Sequence, residues 1–202
     1  MSTPSDQFGA KPAVLRCSRC GKYVDWEEAQ VQIVCACRPH IELPPVMVRE
    51  ATDTDRAAAR ELFERDYGRT KVVAFGEVMD IDQMPALVAV MYREPSGALA
   101  YRQLGDALHI VALATDPMWQ RSGVGSYLLA EAELIARRLR LERIVVATTN
   151  DNLPALYFYQ RRGYRLTDLV RDGVIAHTHR QQAGFAGIPV RDEVRLEKRI
   201  GS

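Results

Sequence analysis

The stretch Leu113-Ala114-Thr115-Asp116-Pro117-Met118-Trp119-Gln120-Arg121-Ser122-Gly123-Val124-Gly125-Ser126 joins an apolar run at residues 108–115 to a helical pattern at residues 124–140. Leu128, Ala132, Ile135 and Leu139 fall on one face of that pattern, and Glu133 precedes Arg137 by one helical turn, the spacing of an amphipathic helix with a stabilising pair. A strand that enters a helix through two glycines makes an anion site. The first amides of a helix have no acceptor within it, the macrodipole places positive charge there, and glycine lets a diphosphate approach the backbone. Arg121 adds a formal charge beside them. The segment is not a P-loop, because no Gly-Lys-Ser/Thr follows, and not a dinucleotide fingerprint, because Leu128 stands where a third glycine belongs.

The rest of the chain alternates strand and helix signals. Residues 46–48 read as a strand, and Thr52 and Asp55 form a near capping box for a helix over 56–66. Residues 86–92, 98–104 and 108–115 read as an antiparallel meander, with turns at Glu94-Pro95-Ser96-Gly97 and Gly105-Asp106. Residues 144–147 form a buried strand. Asn152 caps a helix that tolerates Pro154 in its first turn and ends at Gly163, and a further strand starts at Tyr164. Residues 168–187 carry no clear period beyond a helical hint at 177–182, and residues 190–199 alternate as a half-buried strand does. The pattern predicts an α/β fold, a mixed sheet covered by helices.

Two segments in this order resemble the GNAT family of N-acetyltransferases. Gln120-x-x-Gly123-x-Gly125 is similar to the family's Q/R-x-x-G-x-G/A signature, and Asn152-Leu153-Pro154-Ala155-Leu156-Tyr157-Phe158-Tyr159-Gln160-Arg161-Arg162-Gly163-Tyr164 is similar to its N-x-x-A-x-x-F/L-Y-x-x-x-G-F/Y segment. The resemblance covers residues 46–200. It implies the GNAT acyl-CoA N-acyltransferase fold, a mixed and mostly antiparallel sheet flanked by helices. It also implies direct transfer of an acetyl group from acetyl-CoA to a primary amine of a small molecule or protein. On the matching positions, Gln120, Arg121, Ser122, Gly123, Val124, Gly125 and Ser126 would hold the pyrophosphate. Leu113 and Thr115 would pair with the pantetheine arm, and Asn152 would contact it. Homodimers are common in the family.

Tyr159 matches the family's general acid, and a phenol suits that task because the leaving thiolate needs a proton; Tyr157 is expected to point elsewhere on the helix. Many relatives keep a glutamate on the strand before the glycine motif. Here that strand offers Val111 and, on the same face, His109, which leaves His109 or a water relay as base. The acceptor wall is expected from the first helices, including Glu77, Asp80 and Asp82, and from residues 168–187, where His177 and His179 lie.

All four cysteines, Cys17, Cys20, Cys35 and Cys37, lie before residue 38. Cys17-Ser18-Arg19-Cys20-Gly21 resembles a zinc knuckle. Four cysteines, or three with His40, satisfy tetrahedral Zn²⁺. The expected organisation is a tail at 1–13, a zinc-ribbon-like module at 14–40, a proline linker at 41–45 and the GNAT domain at 46–200. A cysteine nucleophile is excluded from the large domain. Net charge is +1 with 26% charged residues, which gives no footprint for nucleic acid, and no apolar run is long enough for a membrane span. The start lacks a secretory pattern, so a reducing cytoplasm is expected. Two other readings stay open: a CoA-binding protein without turnover, and a zinc-ribbon adaptor that recruits a protein partner.

Overall fold

The structure, a computed structural model, describes residues 32–33, 41–42, 46–120, 122–178 and 182–201. The expected tail, the four cysteines, His40, Arg121 and His179 lie outside the described residues. The first described strands, β1 (Gln32–Ile33) and β2 (Ile41–Glu42), pair antiparallel. The elements that follow are β3 (Met47–Glu50), α1 (Asp53–Tyr67), β4 (Lys71–Ala74), β5 (Glu77–Asp80), β6 (Ala86–Met91), β7 (Glu94–Leu104) and β8 (Ala107–Thr115). Then come α2 (Val124–Arg138), β9 (Arg143–Thr149), α3 (Leu153–Gln160), β10 (Arg165–Val170), α4 (Ile175–Thr178), β11 (Gln182–Ala183), β12 (Pro189–Val190) and β13 (Glu193–Arg199). The main sheet has seven strands in the order β10-β13-β9-β8-β7-β6-β3. Its β8–β9 pair is parallel, while β3–β6, β9–β13 and β10–β13 are antiparallel. This is the mixed sheet that the pattern predicts, and it is mostly antiparallel as the resemblance implies.

The described chain forms two compact units. One holds Ala86–Leu99 and Leu113–Glu131 with the described residues up to Asp66, and the other holds Tyr67–Pro85, Ala100–Ala112 and the chain from Ala132. In the first unit, α1 starts at a reciprocal cap. The Asp55 carboxylate accepts from the Thr52 amide at 2.8 Å and from its hydroxyl at 2.6 Å. Arg49 on β3 clamps the same carboxylate through two nitrogens, Nη2 at 2.8 Å. Gly97 on β7 lies beneath the start of α2, where an added Cβ would come within 2.7 Å of Val124 Cγ1 and 3.1 Å of Leu128 Cδ1. Only glycine allows that approach.

This contact explains one correction. Glu94-Pro95-Ser96-Gly97 is not a turn but the start of β7, with Ser96 and Gly97 buried. The turn lies two residues earlier, at Tyr92 and Arg93, both with positive φ (49° and 69°), as a two-residue hairpin demands. A second correction concerns Leu139, which is 48% exposed because α2 ends at Arg138, whereas Leu128, Ala132 and Ile135 are buried as expected. In the second unit, residues 71–80 form a hairpin with Phe75 and Gly76 at its tip (φ 57° and 73°), so Glu77 and Asp80 sit on a strand rather than on a helix. Among the described residues, the helical hint at 177–182 is met by α4, which begins earlier, at Ile175, and includes His177 and Thr178.

The Asp55 carboxyl is held at about 2, first by Arg49 and then by Thr52, against desolvation that opposes them. Its folded value lies below its unfolded one, so its contribution is complete above about pH 4 and is lost as pH falls toward 2. Asp55→Asn should cost about 1 to 2 kcal/mol at neutral pH, the value of a charge-assisted bond discounted for solvent at Arg49. Urea melts across that range should show the gap between variant and unaltered protein closing on acidification.

Candidate functional site

Within the first unit, the glycine segment is held from both sides. Asp116 Oδ1 accepts from the Met118 amide at 2.8 Å and so caps a 3-10 turn over Pro117–Trp119. The last turn of α1 is bolted to the same place. Arg65 Nη1 pairs with Asp116 Oδ2 at 2.8 Å, and the Asp66 carboxyl, raised first by burial, takes a hydrogen bond from the backbone of Thr115. Trp119 is buried beside Tyr92, with ring centroids 5.8 Å apart. Ser122 then donates through its hydroxyl to the Trp119 carbonyl. Gly123, at φ 91°, turns the chain into α2, and its carbonyl accepts from the amides of Ser126 and Tyr127 at 2.8 and 3.0 Å. The amides of Gly123, Val124 and Gly125 have no acceptor among the described residues. Three successive donors at a helix start are the elements of an anion cradle.

Within the second unit, the parallel ladder runs from Ala107↔Arg143 to Ile110↔Val146 and stops there. Strand β9 continues to Thr149 and keeps β13 on its other side, to Thr149↔Glu193. Residues 147–149 therefore carry no partner from β8 in that ladder among the described residues. An open backbone edge at the carboxyl end of parallel strands is where a ligand with peptide-like amides can pair. Asn152 follows at once, and its Oδ1 accepts from the Ala155 amide at 3.1 Å, the cap expected for α3. Gly163 closes that helix at φ 82°.

Tyr159 and Tyr157 separate as expected. Tyr159 is buried, with its ring 5.2 Å from Phe158 and 5.7 Å from Tyr164, and burial pushes its phenol well above the ordinary range. Tyr157 is exposed and takes a hydrogen bond from Arg161 at 2.9 Å. His109 lies beneath the β4–β5 tip, its ring 4.4 Å from that of Phe75. Arg102 and Arg195 flank the Phe75 ring, each 5.9 Å from its centroid. Burial, and then the charges of Arg102, Arg143 and Arg195, lower the His109 pKa. His109 Nδ1 is buried with no hydrogen-bond partner among the described residues. The hairpin tip is tied down by Glu77 to Arg102 at 2.9 Å and by the Gly76 amide to Glu193 at 3.4 Å. His177 is exposed on α4.

The model of the acetyltransferase (GNAT) family matches residues 56–164. The chain belongs to the GNAT acetyltransferase family. It is 32% identical over 138 residues to the uncharacterized protein YxbD of Bacillus subtilis, covering 66% of this chain and 79% of that protein. It is 30% identical over 89 residues to the uncharacterized N-acetyltransferase YvbK of the same organism, covering 44% of this chain and 57% of that one. Among solved structures, an IAA acetyltransferase from Bacillus cereus shares the fold at TM-score 0.63 and 20% identity, over 76% of this chain and 99% of that one. A GNAT family acetyltransferase from Elizabethkingia anophelis with acetyl-CoA bound superposes at TM-score 0.58 and 20% identity, over 76% and 97%. No helix among the described residues is long and apolar enough to cross a membrane.

The sequence reading missed the β4–β5 tip over His109 and the polar run that precedes Asn152. Thr149, Asn150 and Asp151 are all engaged by side-chain hydrogen bonds, and three small polar residues after a strand were the available signal.

His109 folds with a depressed pKa, so the unfolded chain binds more protons below its ordinary value near 6.5. Its share of stability is intact above that pH and is lost as pH falls through it. His109→Gln should therefore flatten the decline in urea midpoint between about pH 7.5 and 5.5. An unchanged slope would mean that His109 is not held neutral.

Proposed function

We propose that this GNAT protein is an acetyl-CoA-dependent N-acetyltransferase that moves acetyl directly to a primary amine. The observation that carries the proposal is the row of amides at Gly123, Val124 and Gly125, at the start of a helix and without acceptors among the described residues. In this reading Gln120 to Ser126, Arg121 included, hold the pyrophosphate of acetyl-CoA. Leu113 and Thr115 pair with the pantetheine arm, and Asn152 contacts it. The amine nitrogen attacks the thioester carbonyl, the C–S bond breaks, and Tyr159 supplies a proton to the departing sulfur. The amine loses its own proton to His109 or to a water relay. Neutral His109 has the acceptor lone pair for this, although its lowered pKa makes it a weak base. The acceptor is a small-molecule or protein amine, and two chains can pair as a homodimer.

Cys17, Cys20, Cys35 and Cys37 are proposed to hold a structural Zn²⁺, with His40 as the alternative fourth ligand to Cys35. The antiparallel β1–β2 pair supports a ribbon, since the sequence between its strands contains Cys35, Cys37 and His40. Zn²⁺ would supply folding free energy to this small module and no step of the transfer. Purified protein should carry one zinc per chain by elemental analysis, and the Cys17→Ser, Cys20→Ser double variant should carry none. Full zinc content in that variant would remove the assignment.

Calorimetric titration with acetyl-CoA tests the donor site. Micromolar binding is expected for the unaltered protein and about 100-fold weaker binding for Gly125→Asp, whose carboxylate would meet the phosphate at the helix start. Tyr159→Phe should bind acetyl-CoA as before but turn over a responsive amine about 100-fold more slowly. No binding by the unaltered protein would overturn the transferase reading. Binding without turnover across a panel of primary amines would instead favour a CoA-binding protein that lacks catalysis.

A further inference from the structure

Four successive side chains close the carboxyl end of β9, and each is committed to a different task. Thr149 donates its hydroxyl to the Asp151 carboxylate. Asn150 Oδ1 accepts from the amides of Arg191 and Asp192, both at 2.9 Å, and its Nδ2 donates to the Pro189 carbonyl at 2.9 Å. Asp151 Oδ2 accepts from the Phe185 amide at 3.0 Å. Asn152 caps α3. The strand end, the helix of Tyr159 and the excursion between β10 and β13 are thus tied to one run of backbone.

Asp151 is the costly member of this run. It is 7% exposed, its hydrogen bonds come from a hydroxyl and an amide, and none of the ion pairs among the described residues involves it. Burying a carboxylate without a cation is expensive, and an asparagine would fill the same volume with less desolvation. The turn it grips is built for it. An added Cβ on Gly184 would fall inside the van der Waals shell of the Asp151 carboxylate, so the contact needs glycine at that position. The turn closes through Gly184 N–H to the Ile188 carbonyl at 2.8 Å and passes through Ala186 and Gly187 at positive φ (53° and 80°). It leaves the Phe185 side chain 52% exposed. Residues 147–149, the part of β9 without a β8 ladder partner among the described residues, end two positions before Asp151.

We infer that Asp151 is a positioning residue for acyl transfer: it fixes the 184–188 turn as a wall beside the open end of β9, and this wall keeps water from the thioester. The inference rests on the donor assignment made above. Water is the competing nucleophile. It adds to the acetyl carbonyl, the C–S bond breaks, the sulfur takes a proton, and acetate and free CoA leave. A donor held at an open strand edge needs a barrier against that reaction. A neutral amide at position 151 keeps the shape but turns an N–H toward one of two donors, which loosens the turn.

The test measures thiol release from acetyl-CoA by the full chain without any amine, for the unaltered protein, Asp151→Asn and Gly184→Ala. The two variants attack one contact from opposite sides, so a failure of one to fold leaves the other to decide. Each should raise kcat for thiol release at least about threefold while KM for acetyl-CoA stays within about twofold. The double variant should exceed neither single by much, because both remove the same contact. Thiol release that is unchanged or lower in the variants, including none from any protein, overturns the inference, as does a KM that moves by the same factor as kcat. If the unaltered protein does not bind acetyl-CoA in the titration, the donor assignment fails. If it binds and hydrolysis is unmoved, only the wall fails.

Discussion

The parallel ladder between β8 and β9 ends at Ile110 and Val146 while β9 runs on to Thr149, and much of the second unit follows from that early end. Backbone amides and carbonyls left without a ladder must be met by water, ligand or side chains. The chain continues at once with Thr149, Asn150, Asp151 and Asn152, none of which is a strand former by preference except threonine. Thr149 reaches the Asp151 carboxylate, and the other three side chains reach backbone within a few residues or across to the β10–β13 excursion. An excursion of this length without a strong period would otherwise wander. Here Asn150 holds its return and Asp151 its turn, while Arg191 and Asp172 pair at 2.7 Å near its base.

The β4–β5 hairpin shows a similar economy of contacts. Its tip is short, and a two-residue turn with an aromatic at positive φ is strained for a side chain of that size. What holds it is the sheet below. Phe75 lies against His109 and between Arg102 and Arg195, while Glu77 and Glu193 take the cations and the Gly76 amide. The same arrangement decides the state of His109. Burial and then three guanidinium groups oppose its protonation while Glu77 alone favours it, which shifts the ring toward its neutral form beneath the hairpin. A histidine so placed has the proton-accepting form of a base but little drive to take the proton.

The glycine segment and the run from Asn152 to Gly163 were legible because each residue there answers a local need. Gly123 and Gly163 take positive φ, Asn152 caps, and Pro154 fits a first turn. The turn before β7 was misread for a physical reason. Pro95 and Gly97 are ordinary turn formers, yet Gly97 serves a tertiary contact with Val124 and Leu128, and no local pattern announces a neighbour in space. Tyr92 and Arg93, which form the turn, carry none of the usual asparagine or glycine signals. The β4–β5 hairpin was hidden likewise, since its stability comes from the residues beneath its tip. Asp151 could be seen in the sequence only as one polar residue among several, because its partner Phe185 lies 34 positions away.

The environment of Tyr159 bears on how the proposed proton transfer divides between partners. An ordinary thiol has a pKa of about 8.5 and an ordinary phenol about 10. Burial, then the nearby Tyr67, raise the Tyr159 phenol further, with Arg162 opposing. A phenol more basic than the sulfur it serves does not surrender its proton in a stable, separated step. Its contribution to the departing thiolate is then a hydrogen bond that strengthens as charge develops on sulfur, with net transfer completed when the amine's proton is released. Burial thus keeps Tyr159 protonated at any pH where an amine can attack, at the expense of acid strength. That balance suits a reaction whose leaving group tolerates negative charge and whose slow requirement is a neutral amine.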